Sequence, residues 1–434
     1  MPLRQRDLFR FWLPLASTWL MMAFEGPFLA ALIARLADPL HNLAAYGVAF
    51  AVAILVEAPV IMMLGASTAL VDGRVSFLRL RRFTHALNVI TTLGMALLVL
   101  TPAFPQVFEG WIGLDPRVAT LTRGALMILL PWPAAIGYRR FHQGLLIRSG
   151  TPRKVAYGTT VRLTSMSATA FAFFTFTDIP GAWIGATALS MGVLTEAAAA
   201  RIMARKEVKR LGTMVAGPAS GVTYGDIWRF YIPLAWTSVV ALAAHPMVTF
   251  FMGHAPSSLE SLAVLPVVTS LVFVFRSVGL AYQEVAITML DRRPENRKAV
   301  LKFAAILGSC ASMGLALIVA TPLAGLWFQT VSGLSAELYR FALLPSWILI
   351  PIPALSVLLS LQRALLMHAR ATGPITGATL AEIGGIALIL SILILRFEVV
   401  GAVAAAIAFV GGRVTANAIL LRPMRNHVDS SSPR

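Results

Sequence analysis

The chain has 434 residues, of which 58% are hydrophobic and 13% charged, with a formal net charge of +17 and a mean hydropathy of +0.77. A soluble core of this length cannot hide so much apolar surface, so lipid is the implied solvent. The positive balance does not indicate nucleic acid, because the Lys and Arg residues cluster in short loops between apolar runs.

A helix needs roughly 20 apolar residues to cross about 30 Å of hydrocarbon. Runs of that length are predicted at about residues 9–35, 44–71, 82–103, 120–147, 154–177 and 181–203. They resume at about 225–252, 258–289, 299–321, 335–368, 373–395 and 399–421. None alternates as a membrane strand would, so an all-α polytopic protein of twelve transmembrane helices is expected. The first run outlasts a signal peptide and has no small-residue cleavage site after it, which reads as a retained span.

Charge orients these spans. Arg4, Arg6 and Arg10 precede the first; Arg74, Arg79, Arg81 and Arg82 follow the second; Arg148, Arg153 and Lys154 follow the fourth. Arg201, Arg205, Lys206, Lys209 and Arg210 follow the sixth; Arg292, Arg293, Arg297, Lys298 and Lys302 follow the eighth; Arg422 and Arg425 follow the twelfth. With twelve spans all of these fall on one side, and the opposite loops carry Asp38, Glu109, Asp115, Asp178 and Glu260. Both termini are therefore expected in the cytoplasm, with the chain in the cell inner membrane.

The chain also repeats itself. A shift of 219 residues lays Phe9–Ala58 on Trp228–Ser277 without a gap. Arg10, Phe11, Pro14, Leu15, Ala16 and Thr18 then meet Arg229, Phe230, Pro233, Leu234, Ala235 and Thr237, and Pro27 meets Pro246. A shift of 220 pairs Pro131, Pro133 and Ala134 with Pro351, Pro353 and Ala354. The expected organisation is a six-helix bundle over 1–204, a cytoplasmic linker over 205–224, a second bundle over 225–421 and a tail over 422–434. An even number of spans per half makes the repeats parallel, and the natural ligand site is the cleft between them near the midplane. Pro27 and Pro246 lie at equivalent depths, where they serve either as hinges of a gate or as packing bends.

Several stretches carry a family resemblance: Phe11–Ala16 (FWLPLA), Phe24-Glu25, Ala45–Ala49 (AYGVA), Phe230–Ala235 (FYIPLA), His245-Pro246 and Tyr282–Ala286 (YQEVA). Gln143–Pro152 (QGLLIRSGTP) resembles a common ending of the fourth helix. The chain resembles the multidrug/oligosaccharidyl-lipid/polysaccharide (MOP) exporter superfamily, and within it the progressive ankylosis type. That resemblance implies a V of two bundles in which helices 1, 2, 7 and 8 line the cavity. It implies export of an anion such as citrate, pyrophosphate or a nucleotide, whereas the multidrug (MATE-like) branch exports organic cations against protons or sodium. The chain departs from both patterns: Glu57 is foreign to the first, and Arg162 stands in the helix where many proton-coupled members of the second carry an aspartate.

Ionisable groups at membrane depth cost about 2.5–3.5 kcal/mol on insertion scales, so each is a candidate site. Glu25 and Glu57 lie mid-span; in the repeat Glu57 superposes on Arg276, and His245 falls one residue from the counterpart of Glu25. The opposite charges could pair across the cleft in one state and part in another, or form a static lock. A carboxylate in apolar surroundings or a histidine can carry a coupling proton, which makes Glu25 and His245 the leading coupling residues. Glu284 either meets substrate at the inner mouth or pairs with Arg292. Structural pairing is expected for Glu196 and Glu382; Arg139, Arg140, His142 and Arg363 could attract an anion, but snorkelling is the cheaper explanation; and interfacial anchoring or packing is expected for Trp12, Trp132, Trp183 and Trp347. Arg162 either partners Glu196 or faces the first bundle's interior.

No phosphate-binding Gly-rich loop or metal-ligand spacing appears, and the single cysteine, Cys310, rules out a disulfide within the chain. The reading is a monomeric secondary transporter, not an enzyme, with no cofactor beyond a coupling proton or sodium and with membrane lipid and a small molecule as partners. A slight preference goes to an anionic substrate. Export of organic cations, a lipid-linked flippase and an intramembrane lipid-modifying enzyme are the alternatives.

Overall fold

The computed structural model describes residues 4–151, 153–214, 222–292, 297–368 and 373–429. Among these no strand forms. In the first half, α1 (Gln5–Ala23) continues as α2 (Glu25–Ile33), and α3 (Pro39–Ile61) as α4 (Met63–Leu70). Then come α5 (Arg74–Leu100), a single turn α6 (Ala103–Pro105) and a π-helical stretch, Gln106–Trp111. Next are α7 (Pro116–Ile128), α8 (Trp132–Arg148), α9 (Arg153–Phe176), α10 (Gly181–Met203) and α11 (Arg205–Thr213). The second half runs α12 (Tyr224–Leu242), α13 (Ala244–Gly253), α14 (Ser258–Arg292), α15 (Arg297–Val319), α16 (Leu323–Gly325) and a π-helical stretch, Leu326–Val331. It closes with α17 (Ala336–Ile348), α18 (Ile352–His368), α19 (Gly373–Leu395) and α20 (Gly401–Asp429).

Among the described residues, eleven helical segments are long and apolar enough to cross a membrane. The remaining expected span is α9, whose 24 residues give a length of about 36 Å. It falls short on hydropathy alone, because Arg162 and a run of Thr and Ser dilute its apolar content. The chain is thus an all-helical, multi-pass membrane protein. Its outward faces agree: Val89, Ile90, Leu93, Leu97 and Leu100 are 56–64% exposed along one stripe of α5, an arrangement stable only against lipid.

The duplication recurs in the backbone. The first span breaks at Phe24 and the seventh at Ala243, 219 residues apart. The cause is Pro27 and Pro246: proline has no N–H for the carbonyl four residues earlier, here Ala23 and Leu242, and the helix parts there. Left-handed residues recur at Asp38 (φ 52°) and Ser257 (φ 50°), and at Gly113 (φ 74°) and Gly333 (φ 73°). The two π-helical stretches and the pairs α7/α17 and α8/α18 lie 220 residues apart. One asymmetry stands out: α14 runs unbroken for 35 residues through Pro266, whereas its counterpart is divided at Met62 into α3 and α4.

The chain forms two compact units, Met1–Arg35 with Phe251–Arg434, and Leu36–Phe250. These cut across the sequence halves 1–204 and 225–421. In the first unit α1 packs on α14 and α15: the Trp12 indole donates to the Val278 carbonyl (3.2 Å) and Gln5 to that of Ala299 (3.0 Å). Leu8, Trp12 and Ala16 share a core with Tyr282, Val285 and Phe303. Arg35 adds a strap, donating to the carbonyls of Thr330 (2.5 Å) and Val331 (2.8 Å) at the end of the π-helical stretch. In the second unit α12 packs on α3 and α4, with the Tyr231 hydroxyl donating to the Pro59 carbonyl and Ile227, Tyr231 and Ala235 sharing a core with Met63 and Phe77. The expected linker is anchored in the same core through Leu211 of α11, and its residues 215–221 lie outside the described ones. The expected tail is largely helical, since α20 continues to Asp429.

Candidate functional site

The sequence-predicted residues fall into two kinds, those at helix breaks and those in buried charge clusters. Glu25 opens α2 directly after the break at Phe24 and is buried, at 8% exposure, with Pro27 buried two residues on. His245 and Pro246 hold the matching position at the start of α13, in the other unit. The hinge candidates therefore coincide with real discontinuities of the backbone. Around the breaks the ladder resumes at once, through Phe28 N–H to the Phe24 carbonyl (3.1 Å) and Met247 N–H to that of Ala243 (3.1 Å).

Glu57 lies within Leu36–Phe250 and accepts a hydrogen bond from the indole of Trp132. It stands in the field of Arg139, Arg140 and Arg162. A second carboxylate, Glu196 of α10, forms a fully buried ion pair with Arg139 and accepts from Gln143 (3.0 Å). Helix α8 can bring so many polar groups inside because its neighbours come very close. A Cβ on Gly144 would lie 1.8 Å from the Ser67 hydroxyl and 2.7 Å from the Leu64 carbonyl, and one on Gly137 would lie 2.0 Å from Asn88. Three arginines here face two carboxylates. Arg140 makes no ion pair or hydrogen bond among the described residues, and its Nε is buried without a partner.

Arg276 lies in the other unit, on α14, with its guanidinium 5.2 Å from the centre of the Phe273 ring. Its charged surroundings are Glu382, Arg363 and Arg413. Glu382 of α19 pairs with Arg413 of α20 at 3.0 Å, and Arg363 donates to the Thr379 hydroxyl at 3.2 Å. Three arginines thus face one carboxylate, and Arg276 Nε is buried without a hydrogen-bond partner. Glu57 and Arg276 each meet opposite charge inside their own unit, so neither requires the other for neutralisation. Glu284 is exposed on α14, and the Arg292 side chain proposed for it lies outside the described residues.

Two sequence expectations are corrected and one open alternative is decided. Arg139 does not snorkel: it is 4% exposed, because Glu196 offers a charge-paired site that costs less than reaching the interface. Arg363 likewise stays inside, held by Thr379. Trp132 is no interfacial anchor, since its indole is turned inward onto Glu57. A tryptophan one helical face from an intramembrane carboxylate could have signalled this, but only with the partner helix known. The structural pairing expected of Glu196 and Glu382 is present. Arg162 is half-buried and within electrostatic reach of Glu57. Among the described residues no group of three His, Cys, Asp or Glu is placed to hold a metal.

No protein-family model matches the chain, and no curated protein does. The likeness to the progressive ankylosis type therefore has no support from these comparisons. Solved structures do match over nearly the whole length. A multidrug resistance MATE family transporter of the MOP superfamily, inward-facing, superposes with a TM-score of 0.67 at 15% identity, covering 96% of each chain. A MOP superfamily transporter from Pyrococcus furiosus, described by the reverse polarity of its binding pocket, gives 0.64 at 13% identity over 98% of this chain and 96% of that one. The lipid II flippase MurJ in an inward closed conformation gives 0.66 at 12% identity over 96% and 91%. The chain has the fold of the MOP-superfamily transporters, a fold of twelve transmembrane helices in two bundles.

Proposed function

We propose that this protein is a secondary transporter of the inner membrane, with cytoplasmic termini, that moves a small organic or phosphorylated anion by alternating access. The transport reading rests on the fold, and the anionic preference rests on one observation: two half-buried arginines, Arg140 and Arg276, have no ion pair of their own among the described residues, and the Nε of each is buried without a hydrogen-bond partner. Each cluster holds more arginines than carboxylates, and a surplus cation inside a membrane protein is expensive. Its retention in each bundle is explained by an anion that visits, and citrate, pyrophosphate or a nucleotide fits that charge. Glu25, with His245, is the coupling group for protons, sodium being the alternative, and Pro27 and Pro246 give the first and seventh spans the freedom to bend. Glu57 sets the field around Arg140, and Glu284 meets substrate as it enters.

Export of an organic cation is the second reading, favoured by the buried Glu25 and Glu57. Proteoliposomes holding the purified chain and given a pH gradient separate the two. Uptake of citrate or pyrophosphate, lost in Arg276→Gln, is the expected result, whereas uptake of ethidium alone selects the cation. Movement of neither, with scrambling of a lipid-linked sugar, selects the flippase. Glu25→Gln is expected to bind substrate but no longer respond to the gradient, and a full response would remove Glu25 from the mechanism.

A further inference from the structure

A cavity of about 350 Å³ opens within the unit Leu36–Phe250, and none of the residues of the Glu57 charge cluster lines it. It is walled by the start of α5, the last turns of α8 and α10, and α11. Its polar lining is Arg81, Arg82, Thr84, His85, Tyr138, His142 and Arg201, with Phe77, Phe141 and Val208 completing the wall and no carboxylate among them. Arg81 lies over the Phe77 ring at 5.3 Å. The Tyr138 and His142 rings are 4.3 Å apart, and His142 Nδ1 contacts the Tyr138 carbonyl at 2.8 Å. His142 is buried and within electrostatic reach of Arg201, His85 and Arg81. None of the three arginines makes an ion pair or hydrogen bond to a described residue. The nearby acids are engaged elsewhere, Glu207 with Arg210 (2.5 Å) and Glu196 with Arg139.

Positive loops explain arginines near a membrane face, but not their convergence on one cavity with two imidazoles and a phenol. Three guanidinium forks can each offer paired N–H donors to the oxygens of a tetrahedral anion. The volume accommodates a phosphate with a small organic group beside Phe77, and its size suits a ligand site. We infer that this cavity is a binding site for a phosphate group, separate from the residues proposed for transport and independent of that proposal. The group belongs either to an anionic phospholipid head at the basic face of the membrane or to a soluble phosphate compound.

The full chain would be titrated in neutral detergent with inorganic pyrophosphate. In parallel it would be placed in nanodiscs of phosphatidylglycerol or of phosphatidylcholine and its retained lipid read by native mass spectrometry. Salt-sensitive binding of one probe is expected, weakened at least tenfold by Arg81→Gln or Arg201→Gln but not by Arg205→Gln or Arg276→Gln. Pyrophosphate binding assigns the soluble source, and selective retention of phosphatidylglycerol assigns the lipid. Loss in Arg276→Gln instead would place pyrophosphate at the transport residues and overturn this site. Binding of neither probe, or equal loss in Arg205→Gln, overturns it as well. A measurement on the unaltered protein covers variants that fail to fold: the bound probe should shield Arg81, Arg82 and Arg201 from phenylglyoxal, and unshielded modification refutes the assignment.

Discussion

The charge clusters of the two halves lie in matching parts of a duplicated chain, yet two corresponding positions carry opposite signs. Glu57 corresponds to Arg276 at an offset of 219, and Arg162 to Glu382 at 220. Around Glu57 the compensating charges come from α8 and the tight pair joins α8 to α10. Around Arg276 the pair joins α19 to α20 instead. After duplication, then, each bundle formed its own ion pair by drawing on a different helix pair, while the backbone breaks at Phe24 and Ala243 stayed in register. Backbone geometry was retained and electrostatics was reworked, because a proline acts on its own helix whereas a buried charge depends on whichever neighbour can reach it.

The sharpest way to break this comparison is to remove one partner from each pair. Arg139→Met should destabilise the protein by about 3–5 kcal/mol, since Glu196 would be left charged and buried. The double variant Arg139→Met with Glu196→Leu should recover most of that, read by thermal unfolding in detergent. Arg413→Met should lose less, about 1–2 kcal/mol, because that pair is 12–18% exposed and water can partly replace the partner. Equal losses would mean that the two bundles do not differ in how deeply they rely on paired charge.

A smaller effect tests the aromatic support of each cluster. Trp132→Phe keeps the packing but deletes the donor to Glu57, for a loss of about 1.5–3 kcal/mol. Phe273→Leu removes only the ring beneath Arg276, for about 0.5–2 kcal/mol. Smaller still is Arg35→Met, which cuts the strap to Thr330 and Val331 and should cost about 1 kcal/mol. It should also raise hydrogen exchange in α2 without touching α13, the corresponding helix of the repeat. Exchange rising in both would show that the strap does not act locally.

Much of this could be read from the residues in order. The spans followed from runs of apolar residues, and the kinks from Pro27 and Pro246. Even α9, which is too polar to qualify by hydropathy, was placed by charge parity and the repeat. The sequence left the inward turn of Trp132 open and did not foresee the burial of Arg139 or the retention of Arg363, all for one reason. Arginine and tryptophan near a membrane face have two low-energy options, turning outward to the interface or inward to a partner. The choice depends on whether a carboxylate or hydroxyl on another helix lies within hydrogen-bond reach.

By itself, then, the sequence determined what depends on a residue and its solvent: a multi-pass helical chain, its duplication and the places where proline parts a helix. Tertiary structure alone decided which charge meets which, and that the first span packs with the second half of the chain through Trp12, Gln5 and Arg35. Those outcomes turn on how far each helix is rotated and how closely it approaches its neighbours, as at Gly137 and Gly144. Ion pairs and hydrogen bonds act only over a few ångströms, so helices with the same pattern can close on different partners.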